Sequence, residues 1–154
     1  MGKILQLAIS RGGVPKLPVM EAEVGELGIA GDAQNNTRDH GGPERALCLF
    51  AAERIEALRA EGHPIAPGTA GENITTEGID WDRVTAGTRL RLGAGVLIEV
   101  TRDTTPCKTI AGSFVDGEFA RISEKLHPGW SRVYARVIAG GIVRPGDSID
   151  FVEA

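Results

Sequence analysis

The chain has little cysteine, no long apolar run and no block of like charge, and each absence removes a class of protein. Two cysteines in 154 residues, Cys48 and Cys107, are too few for a disulfide scaffold. Both are expected to be free thiols in a reducing compartment, and a cytoplasmic location is expected. No apolar stretch approaches the ~18 residues of a membrane helix. The N-terminus, from Met1 to Leu7, reads directly as a strand and not as a signal peptide or myristoylation sequence. The 17 Lys and Arg are scattered among 21 Asp and Glu, for a net charge of -4. The concentrated basic face of a nucleic-acid or membrane-surface binder is therefore missing, and neither partner is expected. Motifs are absent too: no C-x-x-C or H-x-x-x-H pair for zinc, no G-x-S-x-G elbow, no phosphate-binding G-x-x-x-x-G-K-[ST] loop. His40, His63 and His127 stand singly in loop sequence, and a solvated imidazole is expected at His63.

Glycine is abundant instead. There are 21, roughly twice the usual share, and they come with 8 Pro. That much punctuation implies many turns and short elements. The length and the 42% hydrophobic content suit a single domain over residues 1–154 that folds without disulfide or metal. Strands are expected at 4–9, 19–24, 46–50, 74–76, 96–101 and 133–138. In 84–92 and 143–151 a Gly turn feeds a further half-buried strand. Two helices are expected. The first, 51–61, is stopped by Gly62; the second, 116–126, is capped by Asp116, with Phe119, Ile122 and Leu126 on one face. Eight or so short strands with two short inserted helices make a mostly β fold, a closed or nearly closed barrel. Cys48 sits inside an apolar strand and reads as packing.

Three places have the residue types for chemistry. Cys107 follows Pro106, whose ring fixes its own φ and holds Thr105 extended, so the cysteine is presented stiffly. Arg102 and Lys108 are close in sequence, and cations near a thiol favour the thiolate, the form that attacks electrophiles or binds metals. Sequence adjacency leaves two readings open, a functional thiol or a half-buried loop cysteine. His40-Gly41-Gly42 offers an imidazole beside backbone amides that a ligand can approach closely, or a plain flexible loop. Gly71-Glu72-Asn73 offers a carboxylate and an amide that can bond a heterocycle edge, or a capped turn.

The order of these motifs carries more than any one of them. Gly28-Ile29-Ala30-Gly31-Asp32, His40-Gly41-Gly42, Pro67-Gly68, Gly71-Glu72-Asn73, Gly87, Pro106-Cys107, Ala135-Arg136-Val137, Gly140 and Gly146-Asp147 follow one another in a series. It resembles the MOSC domain, the family named for the C-terminal domain of molybdenum cofactor sulfurases, over nearly the whole chain. The resemblance implies a β-rich barrel and a molybdenum cofactor (molybdopterin) as ligand. It implies that Cys107 is either a molybdenum ligand, as in reductase-type members, or a persulfide sulfur carrier, as in sulfurase-type members. His40, Gly41, Gly42, Gly71, Glu72 and Asn73 would line the cavity. Arg45, Lys108 and Arg136 are candidates for the pterin phosphate, because planar or cationic donors suit phosphate oxygens. Longer members carry an N-terminal β domain or a pyridoxal phosphate-dependent desulfurase module. By resemblance, a cysteine desulfurase or a separate reductase would therefore be the partner, and N-hydroxylated compounds the substrates of a reductase. A non-catalytic module that shelters the cofactor is the alternative.

Overall fold

The computed structural model describes residues 2–33 and 42–153. The chain runs β1 (Gly2–Ile9), β2 (Leu17–Val19), β3 (Ala22–Gly25), β4 (Gly28–Ile29), β5 (Leu47–Ala51), α1 (Ala52–Ala60), β6 (Ile74–Glu77), β7 (Arg89–Leu92), β8 (Val96–Asp103), β9 (Val133–Ala139), β10 (Gly141–Val143) and β11 (Ser148–Val152). Strands pair in the order β11-β7-β8-β9-β5-β6-β1, and β1 returns to β11 through Gly2↔Ile149 and Lys3↔Ser148, so the sheet closes on itself. β2 hangs on the free part of β1, and β10, β3 and β4 form a small second sheet. The mostly β, closed-barrel fold read from the sequence is the fold of the chain. Among the described residues no helix is long and apolar enough to cross a membrane.

Cross-strand partners share a face, so register separates the barrel's inside from its outside. Leu7, Ile74, Leu49 and Val133 are successive partners across β1, β6, β5 and β9; Leu47, Ala135 and Val100 form a second row. With Ile98, Leu90, Leu92, Val96 and Ile149 they fill the interior, each no more than 2% exposed. Register shifts in β1 between Ile4 and Gln6, and along the β8–β9 pair, are the irregularities that let a sheet curl into closure.

Three details differ from expectation. The expected strand 19–24 is two strands in two sheets, because the chain leaves β1 after Val19 and β3 pairs with β10 and β4. In place of the expected helix 116–126 stand two short 3-10 turns, Val115–Gly117 and Phe119–Ile122, which follow a third at Lys108–Ser113. Asp116 is not a cap but sits at φ +55, inside the left-handed region, and Leu126 is 61% exposed. Gly117 falls where a continuous helix would need a good helix former. His63 is buried, not solvated. Gly62, at φ +101, ends α1 in a Schellman motif: its amide bonds Arg59 O at 2.9 Å and that of His63 bonds Leu58 O at 3.2 Å. This turns His63 back onto the helix, where Nδ1 accepts from Val115 N (3.1 Å) and the ring meets Phe114 edge-on.

Candidate functional site

A parallel strand pair needs a crossover, and β5–β6 is the parallel pair of the barrel. The crossover contains α1 and then segment 61–73, which lies back over the outer face of the wall. Cys48 partners Tyr134 and Phe50 partners Thr75 on that face. All four would be exposed on a bare barrel, yet none is more than 5% exposed, and Trp81 (edge-on to Phe50) and Thr104 (against Cys48) add to the covering. Gly68 lets the cover fit: at φ +88 its backbone passes so close to Lys16 O that a Cβ would stand 2.5 Å away.

Beneath this cover lies a buried polar cluster. Asn73 holds β1 and β5 together as a backbone strand would, its Oδ1 accepting from Cys48 N (3.0 Å) and its Nδ2 donating to Ala8 O (3.2 Å). Nδ2 also donates to Asp32 Oδ2 (2.9 Å), and Asp32 pairs with Lys16 Nζ at 2.7 Å, both side chains 6% exposed. Glu72 is fully buried; Oε2 accepts from Thr75 Oγ1 (3.3 Å) and Oε1 has no partner. Burial pushes its carboxyl up to about 7, against the opposing pull of the Gly68 and Glu72 amides, Arg132 and Thr75. Arg132 donates from Nη1 to Ala70 O (2.7 Å), while its buried Nε has no partner. Burial pushes the Cys48 thiol up as well, so it stays protonated and packs 3.9 Å from Thr104 Oγ1.

Cys107 stands at the edge of this cluster, half-buried, with extended backbone (φ -144). It is held from both sides. Upstream, Thr104 N donates to Arg132 O (2.9 Å) and Ser131 Oγ to Thr104 O (3.1 Å). Downstream, Ile110 N donates to Cys107 O (3.1 Å) and starts the 3-10 turn. Tyr134 ties the neighbourhood together. Burial pushes its hydroxyl above the ordinary tyrosine range, Cys48 and, more weakly, Cys107 add to that, and Arg132 and Arg45 oppose it. The Arg45 guanidinium lies 5.8 Å from the Tyr134 ring centre.

The residues singled out in the sequence are therefore unevenly placed. Arg45 lies over the Tyr134 ring, whose hydroxyl feels the charge of Cys107 only weakly, and Glu72 and Asn73 lie in the buried layer with Cys48. Gly71, at φ +85, abuts the Arg132 guanidinium. Lys108 is exposed at the start of its turn, and Gly42, at φ +82, opens the turn that carries Arg45. Arg136 is engaged elsewhere, with Nε and Nη2 on Glu99 Oε2 (3.0 and 2.9 Å) and Arg89 on the other carboxylate oxygen. His40 and Gly41 lie outside the described residues. Sequence reasoning missed Arg132, Lys16 and Tyr134, whose roles depend on contacts far along the chain; Asp32 stood inside a quoted glycine motif without being singled out. A separate cleft of about 350 Å³ lies between Trp81, Val84, Asp103, Glu124 and Val133.

The family model described as MOSC domain matches residues 36–150. YiiM of Escherichia coli (strain K12) is 30% identical over 132 residues, 82% of this chain and 57% of that protein. The crystal structure of YiiM from Escherichia coli superposes with a TM-score of 0.74 over 100% of this chain and 71% of that one, at 26% identity. YflK of Bacillus subtilis (strain 168), described as uncharacterized, is 29% identical over 79% of this chain and 54% of its own length. A protein named "Reductase" from Gibberella moniliformis is 30% identical over 82% of this chain and 23% of its own length. The chain spans about half the length of the first two relatives. On the match over residues 36–150 and the shared barrel, the chain belongs to the MOSC domain family.

Proposed function

We propose that the protein binds a molybdenum cofactor at the Cys107 edge of the barrel and uses that thiol either as the metal's protein ligand or as a persulfide carrier. The observation that carries the reading is the contrast between the two thiols. Cys48 is sealed beneath the cover, whereas Cys107 is partly open and held on both sides by backbone bonds. The donor set fits this group. Among the described residues no three His, Cys, Asp or Glu side chains gather to hold a bare metal ion; a cofactor that supplies its own sulfur ligands needs only one protein thiolate. Cys107 would hold the metal, the open space at Gly42 would leave room for the ring system, and Arg45 and Lys108 would meet the phosphate. When bound, the cofactor supplies two-electron redox chemistry. The chain's own contribution is placement: Pro106 and the Thr104–Arg132 staple set the thiol, and Tyr134 keeps a protonated hydroxyl beside it.

The fungal relative named "Reductase" favours reduction over sulfur transfer. An N-hydroxylated substrate would take up two electrons and two protons, breaking its N–O bond to leave the amine and water. The electrons would come from a separate reductase protein; a sulfur carrier would instead be loaded by a cysteine desulfurase.

Expression in a host that makes the cofactor, followed by metal analysis and pterin fluorescence, tests the reading. Near-stoichiometric molybdenum and pterin are expected. Loss of molybdenum in Cys107→Ser identifies a metal ligand; retained molybdenum with loss of thiol-borne sulfur in mass spectra identifies a carrier. Protein that takes up neither metal nor pterin overturns the proposal.

A further inference from the structure

We propose that Arg132 and Glu72 form a binding site for a small oxyanion beneath the crossover segment, distinct from the thiol of Cys107. The observation is a pair of orphans. Arg132 is 5% exposed, yet its guanidinium has one protein hydrogen bond, to Ala70 O, and no carboxylate within ion-pair distance among the described residues. Its Nε is buried without a partner, and so is Oε1 of Glu72. The two side chains feel each other's charge without forming an ion pair. A buried guanidinium left unpaired is strongly unfavourable, and so is each unsatisfied buried polar atom. One group placed between them, accepting from Arg132 Nε and bonded to Glu72 Oε1, satisfies both.

The surroundings choose an anion. Of the buried charges nearby, Lys16 and Asp32 neutralise each other, which leaves Arg132 as the uncompensated cation whenever Glu72 holds its proton. They also choose a small ligand. Ala70 and Glu72 are fully buried, and Gly71 presents no side chain where a Cβ would stand 3.9 Å from Arg132 Nη1. An oxyanion offers acceptors to the guanidinium, and protonated Glu72 can donate to it. Ionised Glu72 repels it, unless the anion itself carries a proton to give. This inference does not require Cys107 to bind metal or sulfur.

Inorganic sulfate and phosphate are the probes, followed by calorimetric titration and by the Arg132 Nε–H resonance. Every protein is measured in the Cys107→Ser background, which keeps that thiol out of the comparison. Of the other charged groups facing the site, Cys48 and Tyr134 are pushed up by burial, Lys16 and Asp32 are paired, and Arg45 lies over the Tyr134 ring. Saturable binding of both anions at pH 6 is expected, with the Arg132 resonance shifted. Sulfate, which has no proton to donate, should weaken about tenfold or more by pH 8.5, and phosphate less. Glu72→Gln should abolish most of that pH dependence, because its amide donates at any pH. Arg132→Met should abolish binding, and Arg132→Lys should retain part of it. No saturable binding in the parent protein, or equal binding in Arg132→Met, overturns the proposal and leaves a bridging water as the occupant. Should Arg132→Met not fold, the Glu72→Gln pH profile decides: an unchanged sulfate dependence overturns the site.

Discussion

The barrel interior and the cover on its outer face are both buried, but they are buried differently. Inside, paired rows of Leu, Ile, Val and Ala leave few polar side chains to satisfy. Under the cover, five ionisable side chains (Lys16, Asp32, Cys48, Glu72 and Arg132) crowd around Asn73, and two of them keep unsatisfied atoms. Asn73 serves the wall, tying β1 to β5, but Glu72 and Arg132 keep atoms that neither the wall's pairing nor its apolar packing uses. Those two unsatisfied groups are where a ligand is expected.

Four measurements test that contrast. The largest effect is expected from thiol alkylation of the native protein. Iodoacetamide should modify Cys107 about 10³-fold faster than Cys48, read residue by residue by mass spectrometry; comparable rates would mean that the cover opens freely. Next, Leu49→Ala, in the interior row, should cost about 3 kcal/mol in denaturant unfolding.

Glu72 should act in the opposite sense at neutral pH. Folded, it keeps its proton up to about pH 7, whereas an ordinary carboxyl releases it near 4.5. Between those values the folded state binds more protons than the unfolded one, so stability falls as pH rises, by roughly 3 kcal/mol at most. Glu72→Gln should remove this slope and be the more stable protein at pH 8; an unchanged slope would show that Glu72 ionises normally. The smallest effect is expected at the surface. Arg136→Ala removes one partner of a half-exposed ion network on Glu99 and should cost less than about 1 kcal/mol. It should leave cofactor content unchanged if Arg136 is only a surface ion pair, and lower it if that residue serves the phosphate.

Much of the barrel was legible because strands announce themselves by local pattern. The alternation in Val96, Ile98 and Val100 and the glycine turns before β7 and β11 needed no knowledge of partners. The 3-10 segment was not legible: Phe119, Ile122 and Leu126 have helical spacing, but Gly117 and the left-handed Asp116 break the helix that spacing suggests. Nor was His63, whose burial follows from the turn at Gly62 together with Phe114, far along the chain. At the site, the stiff approach of Pro106 to Cys107 could be read directly. Arg132 could not, since it opens a strand on the polar side of the alternation and looks solvated.

The run of short strands, the turns between them, the apolar burial of Cys48 and the rigid lead into Cys107 follow from local sequence, because each rests on neighbours within a few residues. Only the tertiary structure decided which charged side chains would be taken out of water. Arg132 meets Ala70 across 62 positions and Asn73 meets Asp32 across 41; the electrostatics of a buried charge belong to whatever the fold brings against it.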